Sequence, residues 1–245
     1  MKVYEEIKKR IAKGKVHMTL IDPASQDPVK SAVIAEEAER AGSDFIMVGG
    51  STDINIDAMD QCVDHIKKHT SLKTILFPGS SSMVSKQADA IYFMSLMNST
   101  DPDFIVRHQM KASCFLKETG LEAIPMGYLI FEPGMTVGKV GKAELLRGDD
   151  YKLALSYSLA AQFFGMKLMY FEAGSGANSH VPASLISKVR PGIDLPLIVG
   201  GGIRSPEAAS IVSKAGADIV VTGTVTEKSD KVYDILEPII SAIKA

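Results

Sequence analysis

The feature that most restricts how this chain can fold is a rhythm. Eight short apolar runs, at residues 16–21, 45–48, 73–77, 91–95, 123–131, 167–172, 195–199 and 219–222, alternate with stretches of helical periodicity. No two-residue hairpin turn joins one run to the next, and parallel strands require a crossover of a dozen residues or more, usually a helix. Eight such units predict an α/β fold, the (β/α)8 TIM barrel, with the whole chain, 1–245, as a single barrel domain. Its 245 residues agree with the ~250 typical of that fold. Helical stretches at 29–41 and 102–119 stop at Gly42 and Gly120, residues that adopt left-handed geometry without strain. The interval from Phe77 to Ile91 is short for a crossover helix, so the third helix of the barrel is expected to be reduced and that side left open. The amphipathic N-terminus MKVYEEIKKRIAKG reads as a helix that plugs or flanks the barrel, since it has no apolar run of leader or membrane-span length.

Composition narrows the function classes. A hydrophobic fraction of 46% with a net charge of −2 describes a soluble globule with no basic surface for nucleic acid. Cys62 and Cys114 lack metal-type spacing and read as buried or half-buried thiols, which fits a reducing, cytoplasmic setting.

In α/β barrels the reactive groups gather where the strands end. Residues 197–224, LIVGGGIRSPEAASIVSKAGADIVVTGT, read as the last βαβ unit, with glycine turns at Gly200–Gly202 and Gly223 and with Ser205 and Pro206 as N-cap and first helical residue. Glycine loops at the ends of the last two strands of such a barrel expose N–H groups suited to a phosphate. The sixth strand ends in YFEAGSGA. There Tyr170 and Glu172 alternate onto one face, and Gly174 to Gly176 expose amides beside them. Glu172 is a candidate general base or a ligand for substrate hydroxyls. The first strand ends in LIDP, placing Asp22 where a carboxylate holds a hard cation or caps a turn, and the second ends in VGGST, offering the Ser51 and Thr52 hydroxyls.

Other residues stay open. Asn98 and Ser99 line the rim or cap a loop. His108 is catalytic or structural, and His65 with His69 either bind metal or form a solvated face. The glycine-rich segment after the fifth strand carries Glu132, Lys139, Lys142 and Arg147, and has the length of a lid or binding loop. Its cations either meet a diphosphate or face solvent. A phosphosugar isomerase or a non-enzymatic phosphate-binding barrel is compatible with the glycine loops alone.

Taken in order, LIDP, VGGST, YFEAGSG, VGGGIRS and VTGT resemble the geranylgeranylglyceryl phosphate synthase family of archaea, related to bacterial heptaprenylglyceryl phosphate synthases, over essentially the whole chain. The resemblance implies a prenyltransferase of lipid biosynthesis. Such an enzyme joins geranylgeranyl diphosphate to sn-glycerol 1-phosphate through an ether bond on a modified barrel with a reduced third helix. It implies Mg2+ at Asp22 and Ser51. It places sn-glycerol 1-phosphate at Tyr170, Phe171, Glu172, Ala173, Gly174, Ser175, Gly176, Gly201, Gly202, Gly223 and Thr224, with Glu172 the candidate catalytic residue. It further implies a homo-oligomer without transmembrane segment or nucleic-acid partner, touching a membrane surface transiently as product leaves. Leu20 stands where bacterial relatives carry a lysine, and the final turn is GT where many have GN. EAGSGA in place of the bacterial EYSG favours the archaeal branch. Met94, Met97, Phe104, Met126, Tyr128 and Phe131 are available to line a groove for the twenty-carbon tail.

Overall fold

A computed structural model describes residues 1–50, 54–227 and 229–245. Eight parallel strands, β1 (Val16–Ile21), β2 (Phe45–Gly49), β3 (Thr74–Phe77), β4 (Ala90–Leu96), β5 (Glu122–Ile130), β6 (Leu168–Glu172), β7 (Leu197–Gly200) and β8 (Ile219–Thr222), close into a barrel in sequential order. Closure is sealed by β1 against β8, with Val16 opposite Ile219 and Thr19 opposite Thr222.

Alternation along the strands sends one set of side chains inward. Met18, Met47, Ile75, Tyr92, Met126, Tyr170, Ile198 and Val221 belong to one buried interior cluster. Helix α1 (Val3–Ile11) closes the lower end by adding Val3 and Ile7 to that cluster. Its first amides are held by Glu122, whose carboxylate accepts from the N–H of Val3 and of Tyr4 at 3.2 Å for the latter.

The outward faces pack under α2 (Pro28–Arg40), α3 (Ile56–His69), α4 (His108–Thr119), α6 (Tyr151–Phe163), α7 (Ala183–Val189), α8 (Pro206–Lys214), α9 (Thr224–Glu227) and α10 (Val232–Lys244), whereas α5 (Met135–Val140) packs Val137 against the interior cluster. The caps follow local chemistry: Asp27 accepts from the N–H of Lys30 at 2.9 Å, Asn55 from Ala58 at 2.8 Å and Ser205 from Ala208 at 3.3 Å. No helix among the described residues is long and apolar enough to cross a membrane.

Two departures from regularity shape one side of the barrel. No helix is formed by residues 78–89, between β3 and β4. The stretch expected as one helix over 102–119 instead begins with a π-helical turn, Asp103–Arg107, that buries none of its residues. Such a turn inserts an extra residue into the helical repeat and offsets what precedes it from the face of α4.

Candidate active site

The upper rim holds three connected spaces. The first is a polar hollow of about 350 Å³ at the ends of β6, β7 and β8, lined by Leu20, Tyr170, Glu172, Ser175, Gly176, Gly201, Gly202, Arg204, Gly223 and Thr224 among others. The second is a cleft of about 850 Å³ across the barrel mouth that shares Leu20, Glu172, Ser175, Gly176 and Thr224 with the hollow and adds Asp22, Gly50, Phe77, Tyr128, Thr136 and Val137. The third is an apolar groove of about 780 Å³, joined to the cleft through Gly50, Phe77, Tyr128 and Val137. It occupies the place of the missing helix between β3 and β4 and runs down along α4 past Ile91, Phe93, Ala112 and Leu116.

The hollow is built for an anion. Among the described residues, the N–H groups of Ser175, Gly176, Gly201, Gly202 and Gly223 have no acceptor within the chain, and free backbone donors converging on one space bind phosphate well. Gly201 and Gly202 have φ of +81° and +70°. A Cβ at Gly201 would come within 2.3 Å of Glu172 Oε1, and one at Gly202 within 2.2 Å of the Ser179 carbonyl oxygen. Only glycine permits this close approach of the β6 and β7 loops. Arg204 is the cation lining the hollow among the described residues, and its guanidinium donates to the Gly176 carbonyl, tying the two loops together.

Glu172 stands where hollow and cleft meet. It is 5% exposed and accepts from the Gly174 N–H at 2.6 Å. Burial pushes its carboxyl up to about 7, against the opposing pull of the Gly174 amide and the nearby Tyr170 hydroxyl. That hydroxyl is fully buried, makes no hydrogen bond of normal geometry and is raised well above its ordinary value by burial and by the adjoining carboxylate. An unpartnered buried hydroxyl beside a carboxyl that titrates near neutrality is a costly arrangement for a core and a useful one for a substrate hydroxyl.

Asp22 faces the cleft from the end of β1. Its carboxylate accepts from the Ala24 N–H at 2.9 Å and the Ser25 hydroxyl at 3.5 Å, and no described cation pairs with it. Burial raises its carboxyl above the usual range. A Cβ at Gly50 would lie 2.7 Å from the carboxyl group, so glycine keeps its approach open. No group of three or more His, Cys, Asp or Glu converges on a metal-sized point among the described residues. A half-buried carboxylate lacking a cation, beside a hydroxyl, nevertheless fits a magnesium ion that keeps most of its water. Ser51, the other candidate ligand, lies outside the described residues.

The remaining sequence candidates divide clearly. Phe171 points outward, its ring 5.0 Å from that of Phe131, and Ala173 is buried in the same outer core, so neither lines the hollow. The Gly174 N–H is spent on Glu172. Met94, Phe104 and Tyr128 line the groove, whereas Met126 is barrel interior and Met97 and Phe131 belong to the outer layer. His108 faces the groove, 5.1 Å from the Phe104 ring. Asn98 braces the loop after β5, its amide donating to the carbonyls of Ile130 at 2.9 Å and Glu144 at 2.7 Å. His65 and His69 bond back to carbonyls of their own helix. From the long loop, Thr136 and Val137 reach the cleft, while Lys142 pairs with Asp101 and Arg147 with Asp149 and Asp150. Arg204 escaped the sequence reading. Its position between a glycine loop and an N-cap serine is the signal that points to it.

The sequence model of the PcrB family matches residues 8–243. The chain belongs to the PcrB family. Among curated relatives, a geranylgeranylglyceryl phosphate synthase of Thermoplasma volcanium is 59% identical over 100% of this chain and 97% of its own. One of Picrophilus torridus is 57% identical over 99% of this chain and 100% of its own. The crystal structure of (S)-3-O-geranylgeranylglyceryl phosphate synthase from Thermoplasma acidophilum in complex with its substrate sn-glycerol-1-phosphate superposes with a TM-score of 0.97 at 56% identity, covering 100% of this chain and 99% of that one. These PcrB family likenesses extend over the residues lining both the polar hollow and the apolar groove.

Proposed function

We propose that this PcrB family protein is a geranylgeranylglyceryl phosphate synthase, a prenyltransferase that joins geranylgeranyl diphosphate to sn-glycerol 1-phosphate and releases diphosphate. The observation that carries the reading is the order of the three spaces. An anion hollow, a cleft with an unpaired carboxylate and an apolar groove follow one another, with Glu172 at the first junction. An acceptor phosphate, a donor diphosphate and a prenyl tail require that sequence of environments. The relatives named above support it.

The acceptor phosphate sits against the amides of Ser175, Gly176, Gly201, Gly202 and Gly223, with Arg204 at the edge. This fixes the glycerol so that its C3 hydroxyl lies by Glu172 and Tyr170. The prenyl chain runs from Tyr128 and Phe77 into the groove, which leaves its C1 in the cleft. Asp22 with cleft hydroxyls would hold Mg2+, which when bound would supply charge to offset the diphosphate and ease its departure. The C3 oxygen forms its bond to C1 as the C1–O bond to diphosphate breaks, and Glu172 takes the hydroxyl proton. A carboxyl that burial raises from the ordinary glutamate range to about 7 is closer to the operating pH and therefore suited to this transfer. The cleft and the hollow contribute one described cation, Arg204, to offset two anionic substrates. That scarcity supports magnesium dependence.

Purified protein incubated with sn-glycerol 1-phosphate, Mg2+ and prenyl diphosphates of graded length tests the reading. An ether product formed best from the twenty-carbon donor and abolished by chelation is expected. Absence of product with every donor contradicts it.

A further inference from the structure

One fully buried histidine takes no part in the cleft chemistry. His17, the second residue of β1, is 0% exposed and turns away from the barrel axis, since Val16 and Met18 on either side of it belong to the interior cluster. Burial pushes its ring down to about 3, so near neutral pH it is uncharged, with one nitrogen that donates and one that accepts. Both are used. Nδ1 lies 3.0 Å from the Ser43 hydroxyl and Nε2 2.9 Å from that of Thr222. The Ser43 oxygen is also 3.1 Å from the Thr19 hydroxyl and 3.3 Å from the Phe45 carbonyl. A carbonyl only accepts, which assigns the Ser43 proton to it, the ring proton to Nδ1 and the Thr222 proton to the bond with Nε2.

A polar ring buried this deeply costs more than an apolar one of equal size, and the group it holds stands next to the polar hollow. The ladder between β7 and β8 ends with Val199 opposite Val220, whereas that between β1 and β8 continues to Thr19 opposite Thr222. The end of β8 is therefore held from the β1 side. Thr222 immediately precedes Gly223, whose N–H is one of the free donors of the hollow. Gly223 leaves the sheet against Leu20, so closely that a Cβ there would lie 3.2 Å from the Leu20 Cβ and carbonyl oxygen. Among the described residues, the bond to His17 is the one hydrogen bond that the Thr222 side chain makes.

We propose that His17 is a positioning residue for the hollow: by holding the Thr222 hydroxyl it fixes the end of β8, and with it the direction of the Gly223 N–H toward the acceptor's phosphate. The proposal rests on reading the hollow as the seat of that phosphate. Its effect is selective, because His17 lines neither the cleft nor the groove. The acceptor side depends on the ring, and the donor side does not.

Steady-state kinetics, together with calorimetry of sn-glycerol 1-phosphate and of inorganic phosphate, tests this. A glutamine amide reaches the place of Nε2 and an asparagine amide that of Nδ1, so His17→Gln keeps the bond to Thr222 and His17→Asn loses it. His17→Asn and Thr222→Val are each expected to raise KM for the acceptor and Kd for phosphate about three- to tenfold, with KM for the prenyl donor unchanged. His17→Gln and Thr222→Ser are expected to stay within about twofold of wild type. The double variant His17→Asn, Thr222→Val should be no worse than the more impaired single variant, since both remove the same bond. Equal impairment by His17→Asn and His17→Gln, or a rise in donor KM to match that of the acceptor, overturns the proposal, because the ring is then ordinary core. Where His17→Asn does not fold, the Thr222 pair decides: equal acceptor KM in Thr222→Val and Thr222→Ser overturns it. Wild-type protein that binds phosphate but turns over no donor overturns the assigned function alone, and the phosphate titrations of the variants still test His17. Wild-type protein that binds neither anion overturns the reading of the hollow and the proposal together.

Discussion

The two halves of the barrel mouth are built on opposite principles. Around β6, β7 and β8 every strand is followed by a tight glycine-bearing loop and a covering helix, and the loops approach each other so closely that a single methyl at Gly201 would strike Glu172. Around β3 and β4 the covering helix is absent, and the outward side chains Ile91 and Phe93 line an open groove. The first half offers directed polar groups to a small ion. The second offers apolar area with few directional demands. Under the proposed function, the difference teaches that the barrel would recognise its two substrates by different physics, preorganised N–H donors on one side and area burial on the other. Glu172 belongs to the polar half, and Phe77 and Tyr128 mark where the apolar half begins.

That division is open to direct attack. Of the variants that set the two halves against each other, Asp22→Ala is expected to have the largest effect, because it removes the cleft carboxylate between the halves. Turnover should fall about 10²-fold or more with acceptor binding, measured by calorimetry with sn-glycerol 1-phosphate alone, intact. Gly201→Ala comes next. It forces a side chain into positive φ and against Glu172 Oε1, so KM for the acceptor should rise and kcat fall, each about tenfold, with KM for the donor unaltered. Ala112→Phe fills the groove beside α4 and should act on the other half only. KM for the twenty-carbon donor should rise a few-fold to tenfold, while a ten-carbon donor and the acceptor keep their wild-type values. If Gly201→Ala damaged donor binding, or Ala112→Phe acceptor binding, as strongly as the expected partner, the two halves would not be separate sites.

Much of the polar half could be read from sequence because its demands are local. Glycines at strand ends, a capping serine before a proline, and a glutamate two residues from a tyrosine all announce themselves by spacing, and the strands lie within about two residues of where the apolar runs placed them. The faces within YFEAGSG were harder. Strand alternation turns Phe171 into the outer core, and Ala173 is buried there with it, so a contiguous motif contributes discontinuous lining. The apolar half was legible only as a gap, the short interval after Phe77. Its lining could not be sorted because Tyr92, Met94 and Leu96 on β4 look the same in sequence whether they fill a barrel or face a groove. The π-helical turn left no compositional trace, since its residues suit an α-helix equally well. The tie from Arg204 to the Gly176 carbonyl and the unpartnered Tyr170 hydroxyl emerge only when the β6 and β7 loops are seen side by side.

The claim on which the account rests is that Glu172, buried between the two halves, receives the acceptor's proton. The pH dependence of kcat/KM for wild type and for Glu172→Gln measures this most directly. Because the carboxyl is raised to about 7 and only its ionised form is a base, wild-type activity should climb through an acid limb near pH 7. The variant should bind both substrates, lose about 10²–10³-fold in kcat, and show no limb there, keeping only the gentler change near pH 6 due to the substrate's own phosphate. Near-normal turnover by Glu172→Gln with the limb at pH 7 intact would contradict it.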